Sequence, residues 1–179
     1  MIRAAFQTAR LSLRPLAAED EAALVAGLNS FDVSRWLARV PFPYGAADFR
    51  TFLPLAAPGV VWAIEDAAGF VGVVSLEVRG LADAPEDVIG YWLAEHAWGK
   101  GYATEAGRAV LDAHFSGGGG DVASGYFEDN LRSAGVLGKL GFVETGRARM
   151  ASLTLGPDAP HVDLRLTAEA YRAASVSAR

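Results

Sequence analysis

The stretch with the clearest chemical potential is a pair of glycines placed directly before a helical pattern. Gly99 and Gly101 lack a Cβ atom, so the chain there can turn tightly and approach a ligand closely. Over residues 103–115 the apolar side chains recur at the spacing of one helix face. A glycine turn that enters a helix N-terminus directs free N–H groups and the positive end of the helix dipole at one point. The pattern therefore predicts an anion site, most often one for phosphate.

Two widespread phosphate-binding motifs are excluded by the residues around these glycines. A P-loop requires Gly-x-x-x-x-Gly-Lys-Ser/Thr, but Ala94 occupies its first glycine position and Gly101 follows Lys100. A dinucleotide fingerprint requires Gly or Ala where this chain has Thr104. It also requires an acidic residue about 20 positions further on, a region that here is the glycine run 117–120. An ordinary strand-to-helix turn remains the simplest alternative to a phosphate site.

Four segments together resemble the GNAT superfamily of acyl-CoA N-acyltransferases. The pyrophosphate loop of that family reads Gln/Arg-x-x-Gly-x-Gly/Ala before a helix, and Gly101 and Ala103 match its last two positions. Trp98 stands at the leading position, as is usual in the RimJ/RimL-like branch, which acetylates N-terminal alanine or serine of proteins. Three other segments also resemble that branch, and their order and spacing match it across residues 10–167. They are residues 10–16, residues 89–93, and residues 130–133 followed by residues 139–142.

The remaining sequence has the pattern of a mixed α+β domain with consecutive hairpins and a strand–helix–strand unit around the loop. Strands are predicted at residues 10–14, 60–65, 70–77, 87–94, 122–126, 142–155 and 161–167. Helices are predicted at residues 18–29, 46–53, 103–115 and 130–141, with a loose terminal helix or tail beyond residue 168. Pro54 is expected to end or kink the second helix. Loops are predicted at residues 83–86 and 156–160.

The resemblance implies the GNAT fold for this α+β chain. That fold is a central mixed, mostly antiparallel sheet with one splayed parallel strand pair that admits acyl-CoA, and helices flank the sheet. A length of 179 residues fits one domain with a sizeable core. We therefore expect a single N-acetyltransferase domain over residues 1–179, with its core at residues 10–167.

The composition narrows the class of protein. The chain has no cysteine, which excludes disulfides, thiolate metal sites and cysteine nucleophiles, and its three scattered histidines predict no metal site. No apolar stretch approaches the ~18 residues of a membrane span, and the N-terminus lacks the apolar region of a secretory signal. These features predict a cytoplasmic protein that does not bind a membrane. The net charge of −5 argues against a nucleic-acid partner and suits a cationic amine acceptor.

The resemblance also implies that acetyl-CoA is the acyl donor. Backbone N–H groups from Gly99 to Thr104 would hold the pyrophosphate, while Lys100 is either a point charge for a phosphate or simply solvated. Freed backbone groups at the end of the preceding strand would pair with the pantetheine arm like an added strand. A free N–H near Leu93 or Ala94 would stabilise the thioester oxyanion. The binding residues implied in this way are Trp92, Leu93, Ala94, Gly99, Lys100, Gly101, Tyr102, Ala103, Thr104, Asn130 and Ser133.

Two polar residues after the sixth predicted strand, Asn130 and Ser133, each have two interpretations. Asn130 is a good helix N-cap, and in the family its side chain would contact the pantetheine arm. Ser133 is either an idle first-turn serine or the donor of a hydrogen bond to the leaving CoA thiolate. In many GNAT proteins a tyrosine slightly further on serves that purpose, but residues 136–138 offer no hydroxyl. Ser133 is therefore the candidate for thiolate protonation.

A general base for the amine acceptor is not fixed by the sequence. RimJ/RimL-like proteins often carry Glu directly before Ile-Gly-Tyr, and this chain has Val88 there. Glu77 at the end of the preceding strand and His96 near the cleft are the substitutes, although each fits a surface residue better than a base. A relay through water, or an amine that arrives neutral, are the other possibilities. We therefore expect no single carboxylate to be essential.

Taken with the resemblance, these features predict an acetyl-CoA-dependent N-acetyltransferase. The acceptor would be a primary amine, either a protein N-terminus or a small molecule, attacked directly in a ternary complex. Catalysis would involve Ser133, the backbone of Leu93 and, as base candidates, Glu77 or His96. The alternative is a non-catalytic acyl-CoA-binding module that kept the loop and lost the base. Both a monomer and a homodimer fit the prediction.

Overall fold

A computed structural model describes residues 5–81 and 84–177 of the chain. The strands are β1 (Phe6–Gln7), β2 (Ser12–Pro15), β3 (Val61–Asp66), β4 (Gly69–Leu81), β5 (Ala84–Leu93), β6 (Val122–Phe127), β7 (Val143–Ser152) and β8 (Gly156–Leu166). The α-helices are α1 (Glu21–Leu28), α2 (Phe31–Ser34), α3 (Ala46–Phe52), α4 (Tyr102–Ser116), α5 (Leu131–Leu140) and α6 (Ala168–Ser177). None of the helices formed by these residues is long and apolar enough to cross a lipid bilayer.

The strands form one sheet in the order β1-β2-β3-β4-β5-β6-β8-β7. Neighbouring strands are antiparallel except β5 and β6, which run parallel and are joined through the crossover helix α4. These two strands pair only at Asp87 with Val122 and at Val88 with Ala123, and beyond that point they diverge. The predicted fold class is confirmed, including the splayed parallel pair. The divergence leaves a gap in the middle of the sheet on the side where β5 leads into the glycine loop.

The sheet is covered by helices on both faces, and each face has its own apolar core. Helices α4 and α5 pack on one face, where the core includes Val110, Leu111 and Leu137. Helices α1 and α3 pack on the other face, where Leu24 and Phe49 are buried against β3 and β4. The gap between β5 and β6 therefore lies between two rigid layers that hold its walls in place.

Local signals in the sequence account for the helix boundaries near the gap. Asn130 caps α5, since its Oδ1 accepts a hydrogen bond from the Ser133 N–H at 3.2 Å. Gly141 ends the same helix in the left-handed conformation, as the C-cap pattern predicts. Helix α3 ends at Phe52, and Pro54 lies in the following 3₁₀ turn. The predicted N-cap, C-cap and proline stop are confirmed.

Two predicted loops are wrong. Residues 84–86 belong to β5, because β4 and β5 form a longer hairpin in which Gly80 lies opposite Pro85; Asp83 of that predicted loop lies outside the described residues. Residues 156–160 belong to β8. This part of β8 extends beyond the residues that pair with β6 and forms a ladder only with β7. Proline has no N–H to donate to a second strand, and it is tolerated here because no second ladder is present.

The chain beyond residue 168 is also more firmly packed than the sequence suggested. It forms helix α6, and the Tyr171 ring stacks on Phe115 with centroids 4.5 Å apart. Tyr171 also donates a hydrogen bond to Asp112 of α4. The apolar residues of this segment are small, so its helical pattern is weak, and one buried tyrosine fixes it to the core.

Candidate active site

The glycine turn after β5 forms an open cradle at the start of α4. Gly99 and Gly101 have φ angles of +74° and +80°, a conformation that favours glycine over residues with a Cβ atom. A Cβ atom placed at Gly99 would meet no heavy atom within 4 Å, so this side of the turn is open. No side chain caps the N-terminus of α4, and its first N–H groups remain available. The residues predicted to bind an anion therefore meet the geometric requirements for doing so.

The turn is held in place by residues from the beginning of the chain. The Arg10 guanidinium donates to the Lys100 carbonyl at 2.9 Å and pairs with Glu105 of α4 at 2.6 Å. The Thr8 hydroxyl donates to the same carboxylate at 2.6 Å. Burial alone would raise the pKa of Glu105, but these hydrogen bonds outweigh it and hold the pKa below its usual value. Glu105 is thus ionised, neutralised by Arg10, and has a structural role.

A cleft of about 1060 Å³ runs from the glycine turn through the gap between β5 and β6. The turn and the first residues of α4 line one end of it, and residues of α2 and β8 line the other. Beside the turn, the Arg132 guanidinium lies 4.3 Å above the Trp98 ring. Arg132 and Lys139 add positive charge to the end of the cleft that also contains the turn. Among the described residues, no group of His, Asp or Glu side chains is arranged to hold a metal ion.

The end of β5 presents a single backbone N–H to the gap. The Ala94 N–H donates to the Val71 carbonyl in β4 at 2.9 Å, so the expectation that it is free is wrong. Successive residues of an antiparallel ladder direct their backbone groups to opposite sides, and the Leu93 N–H therefore faces the gap. The Leu93 carbonyl accepts a hydrogen bond from Trp98 Nε1 at 2.8 Å. Trp98 thus fixes the end of β5 so that the Leu93 N–H is directed into the cleft.

Ser133 lies across the gap from β5, in the first turn of α5, and also lines the cleft. Its hydroxyl is 2.9 Å from the Tyr91 hydroxyl, and either oxygen can be the donor of that hydrogen bond; the Tyr91 oxygen is also 3.3 Å from the Ser133 carbonyl. When the single Tyr91 proton is donated to the Ser133 hydroxyl, the serine proton is available to a group in the cleft. The structure therefore brings Ser133 to the gap together with a partner that sequence reasoning missed.

Comparison with known families identifies the family of the protein that contains this cleft. Residues 10–143, which are more than half of the chain, match the family model of the acetyltransferase (GNAT) domain. The chain belongs to the GNAT acetyltransferase family. The predicted family is confirmed, and with it the interpretation of the chain as an acetyltransferase. No curated protein sequence matches this chain.

Solved structures of other GNAT proteins share the fold at low sequence identity. RimJ of Mycobacterium smegmatis, solved with CoA-disulfide, is 24% identical with a TM-score of 0.75, covering 93% of this chain and 89% of that chain. The ribosomal-protein-S5-alanine acetyltransferase of Vibrio fischeri is 19% identical with a TM-score of 0.75, covering 93% and 98%. Spermidine N-acetyltransferase of Vibrio cholerae, solved with CoA and spermine, is 17% identical with a TM-score of 0.75, covering 92% and 99%. The similar solved structures thus include a RimJ protein together with other GNAT acetyltransferases.

The two base candidates proposed from the sequence of this GNAT domain are poorly placed. Among the described residues that line the cleft, neither Glu77 nor His96 is present, and His96 is exposed. Glu77 pairs with Arg79 at 3.0 Å and with Arg39 at 3.5 Å. Burial by itself raises the pKa of Glu77, but the charge and hydrogen bond of Arg79 outweigh it, so the pKa is lowered. A carboxylate with a lowered pKa is a weak base.

We accordingly expect Glu77→Gln and His96→Ala each to retain turnover within about tenfold of the wild-type enzyme. General-base assistance is typically worth about 10²–10⁴-fold, so the loss of a true base would exceed that margin. Initial rates with a fixed amine and saturating acetyl-CoA measure the effect. A hundredfold loss in either variant, with acetyl-CoA affinity unchanged, would contradict this expectation.

A further pair of polar residues in the cleft was missed by sequence reasoning. His161 and Asp163 of β8 both line it, and His161 Nδ1 is 2.9 Å from Asp163 Oδ1. The available signal was their spacing of two, which places both side chains on one face of a strand. Both residues lie in the strand that the sequence predicts at residues 161–167, but the position of that strand beside β6, and so beside the gap, could not be predicted.

Proposed function

We propose that the protein transfers the acetyl group of acetyl-CoA to a primary amine by direct attack in a ternary complex. The observation that carries this proposal is the gap between β5 and β6, with the glycine turn at one end and an open cleft at the other. Only Asp87 and Val88 of β5 pair with β6, so the remaining edge can accept an extended chain such as the pantetheine arm. The cleft passes through the sheet, which lets donor and acceptor meet from opposite ends.

The glycine turn supplies the binding energy for the donor. Backbone N–H groups of residues 99–104 would hold the pyrophosphate, because a helix N-terminus favours negative charge. Arg132 provides charge for phosphate oxygens at the same end of the cleft. Lys100 does not line the cleft; its ammonium lies 5.6 Å from the centroid of the Tyr102 ring, which does. Trp92, Leu93 and Asn130 line the path between this end and the gap. These residues form the proposed acetyl-CoA site.

The chemistry follows from the groups that face the gap. The amine nitrogen attacks the thioester carbonyl, and the developing oxyanion accepts a hydrogen bond from the Leu93 N–H. The carbon–sulfur bond then breaks, giving the amide and the CoA thiolate. An acceptor that arrives as an ammonium loses two protons in total; one ends on the CoA sulfur through the Ser133 hydroxyl, and one is released. With no cysteine in the chain, no thioester intermediate forms on a protein thiol.

Tyr91 has the role of orienting the Ser133 hydroxyl. Burial raises the pKa of Tyr91 to about 12, so its hydroxyl keeps its proton at neutral pH and remains a donor. Tyr91→Phe is expected to lower kcat about three- to tenfold, since one net hydrogen bond of about 1 kcal/mol is lost. The loss should be constant between about pH 6 and 9, because the phenol does not titrate there. A pH–rate comparison of the two proteins measures this, and a loss confined to one end of the range would contradict it.

The acceptor is proposed by class. The Vibrio fischeri neighbour is named for the alanine of a ribosomal protein, and the Vibrio cholerae neighbour for spermidine; both acceptors carry a primary amine. In this chain the acceptor end of the cleft combines the apolar side chains of Trp36, Leu37 and Val40 with the charge of Arg39. That end is open to solvent, so both a peptide N-terminus and a small amine can approach the gap.

An assay of CoA release separates this proposal from a non-catalytic acyl-CoA-binding module. The protein is incubated with acetyl-CoA and, in turn, an alanyl tripeptide, a seryl tripeptide, spermidine or no amine, and free thiol is followed with a thiol-reactive dye. We expect at least one amine to accelerate thiol release by tenfold or more over the amine-free control. Calorimetric binding of acetyl-CoA without amine-dependent release would favour the binding module.

A further inference from the structure

A histidine–aspartate pair lies on the acceptor wall of the cleft, which neither Glu77 nor His96 lines. His161 is 8% exposed and lines the cleft, and its Nδ1 is 2.9 Å from Asp163 Oδ1. An imidazole whose Nδ1–H donates to a carboxylate keeps its lone pair on Nε2. The pair therefore offers one nitrogen that can accept a proton.

The ring position is fixed by the neighbouring strand. A Cβ atom at Gly125 of β6 would lie 2.2 Å from His161 Cε1 and 2.7 Å from Nε2, so the imidazole occupies the space that glycine leaves. The Phe127 ring packs edge-on against the imidazole with centroids 5.5 Å apart. Nε2 has no hydrogen-bond partner among the described residues. The imidazole is thus held over β6 at the wall of the gap, with its basic nitrogen unused.

Few charged side chains lie near the His161 imidazole. On β8, Asp163 contacts it directly, while Arg165 two residues further on is paired with Glu86. On β6, the facing residues Gly125 and Phe127 are uncharged. On β7, Ala148 lies directly opposite His161. The only charge in contact with the ring, among the described residues, is the Asp163 carboxylate.

Another buried histidine does not share this arrangement. His114 of α4 is also buried, but its Nε2 is 2.9 Å from the Gly120 carbonyl. It packs on the Phe115 ring and does not line the cleft. His114 thus closes a helix end, whereas His161 lines the cleft and has no hydrogen-bond partner at Nε2 among the described residues.

We infer that His161 is the general base of the acetyl transfer and that Asp163 positions it. This inference rests on the proposed function. His161 Nε2 takes one proton from the acceptor ammonium, the neutral amine attacks the thioester, and the imidazolium returns its proton to solvent through the open acceptor end. On collapse the nitrogen's second proton passes to the Ser133 oxygen, and the Ser133 hydroxyl gives its own proton to the CoA sulfur. Asp163 stabilises the imidazolium that forms.

The test uses the full-length protein with acetyl-CoA and whichever amine supports wild-type turnover. His161→Gln keeps a polar side chain of similar size but cannot act as a base. We expect kcat to fall at least a hundredfold, in line with the typical contribution of a general base, with acetyl-CoA affinity within twofold of wild type. The acidic limb of the wild-type pH–rate profile should disappear in this variant, leaving a rate that rises steadily towards the pKa of the amine.

Asp163→Asn is a second variant that reports on the pair without removing the imidazole. Loss of the carboxylate destabilises the imidazolium, so the acidic limb should move to lower pH and kcat should fall about tenfold or more. Asp158→Asn, an exposed change on the same strand, is the matched control and should leave the profile unchanged. A folding defect would change acetyl-CoA affinity but would not shift the acidic limb.

The outcomes distinguish the base from the function. An active wild-type protein whose His161→Gln variant stays within threefold, with the same pH profile, would overturn the assignment of the base and leave the acetyl transfer standing. A wild-type protein that binds acetyl-CoA yet transfers acetyl to no amine would overturn the proposed function, and the base with it. A hundredfold loss with the acidic limb removed supports both.

Discussion

Gly101→Asp is expected to weaken acetyl-CoA binding by at least a hundredfold while the protein remains folded. The new carboxylate would add a negative charge at the N-terminus of α4, beside the N–H groups that are available to a pyrophosphate. Juxtaposed like charges cost several kcal/mol, and each 1.4 kcal/mol is about tenfold in affinity. Isothermal calorimetry with acetyl-CoA measures the loss directly. Unchanged affinity in a folded variant would contradict the assignment of this turn to the donor.

Gly101→Ala is the control for this experiment. Alanine imposes the same strain on the left-handed backbone, at about 1–2 kcal/mol, without adding a charge. Its Cβ atom would lie 3.5 Å from Arg10 Nη2, an ordinary van der Waals contact. We expect both variants to lose similar thermal stability and only the aspartate to abolish binding. An equal loss of affinity in the two variants would assign the effect to the shape of the turn.

Ser133→Ala is expected to lower kcat about a hundredfold and to leave acetyl-CoA affinity nearly unchanged. The reason is that a hydroxyl that meets the thiolate contributes only as that charge develops in the transition state. Asn130 should continue to cap α5, because the cap bond uses the Ser133 backbone N–H. Steady-state kinetics with saturating amine separate kcat from the affinity for acetyl-CoA.

The matched comparison for this serine is Tyr91→Phe, which keeps the Ser133 hydroxyl and removes its partner. If Ser133 donates the proton and Tyr91 only orients it, the serine variant should lose clearly more activity than the tyrosine variant. Wild-type turnover in Ser133→Ala would assign thiolate protonation to water. A larger loss in Tyr91→Phe would assign it to the phenol.

The donor side of this protein could be predicted from sequence because its signals are local. Gly99, Gly101 and the helix that follows lie within one short stretch, and the left-handed φ angles are a direct consequence of residue type. The cap at Asn130 is equally local, since the donor is three residues away. The divergence of β5 and β6 was expected only through the family resemblance, and the short ladder at Asp87 and Val88 agrees with it.

The partners of the predicted catalytic groups could not be predicted, because they come together only when distant elements pack. Tyr91 and Ser133 are 42 residues apart and meet across the gap. The Trp98 ring reaches back to the Leu93 carbonyl, which removes one of the backbone groups expected to be free. His161 and Asp163 lie in a strand that the sequence predicts, but only the pairing of β8 with β6 places them beside the gap.

The side chains around Val88 are small or apolar, in keeping with the absence of an acidic residue at that position. Val88 of β5 pairs with Ala123 of β6, so small or apolar side chains meet at the last pairing before the gap. Gly125 continues this run of small residues on β6, and the imidazole of His161 fills the space above it. A base supplied from β8 instead of β5 would approach the same gap from its opposite wall.

Mass spectrometry of a complete reaction tests the central claim most directly. The wild-type protein is incubated with acetyl-CoA and the amine that supports CoA release, and the acetylated amine, free CoA and intact protein are measured in the same samples. The account predicts one acetylated amine for each CoA released and no acetyl group on the protein at any time during turnover. Release of CoA without acetylated amine, or transfer through an acetylated form of the protein, would contradict it.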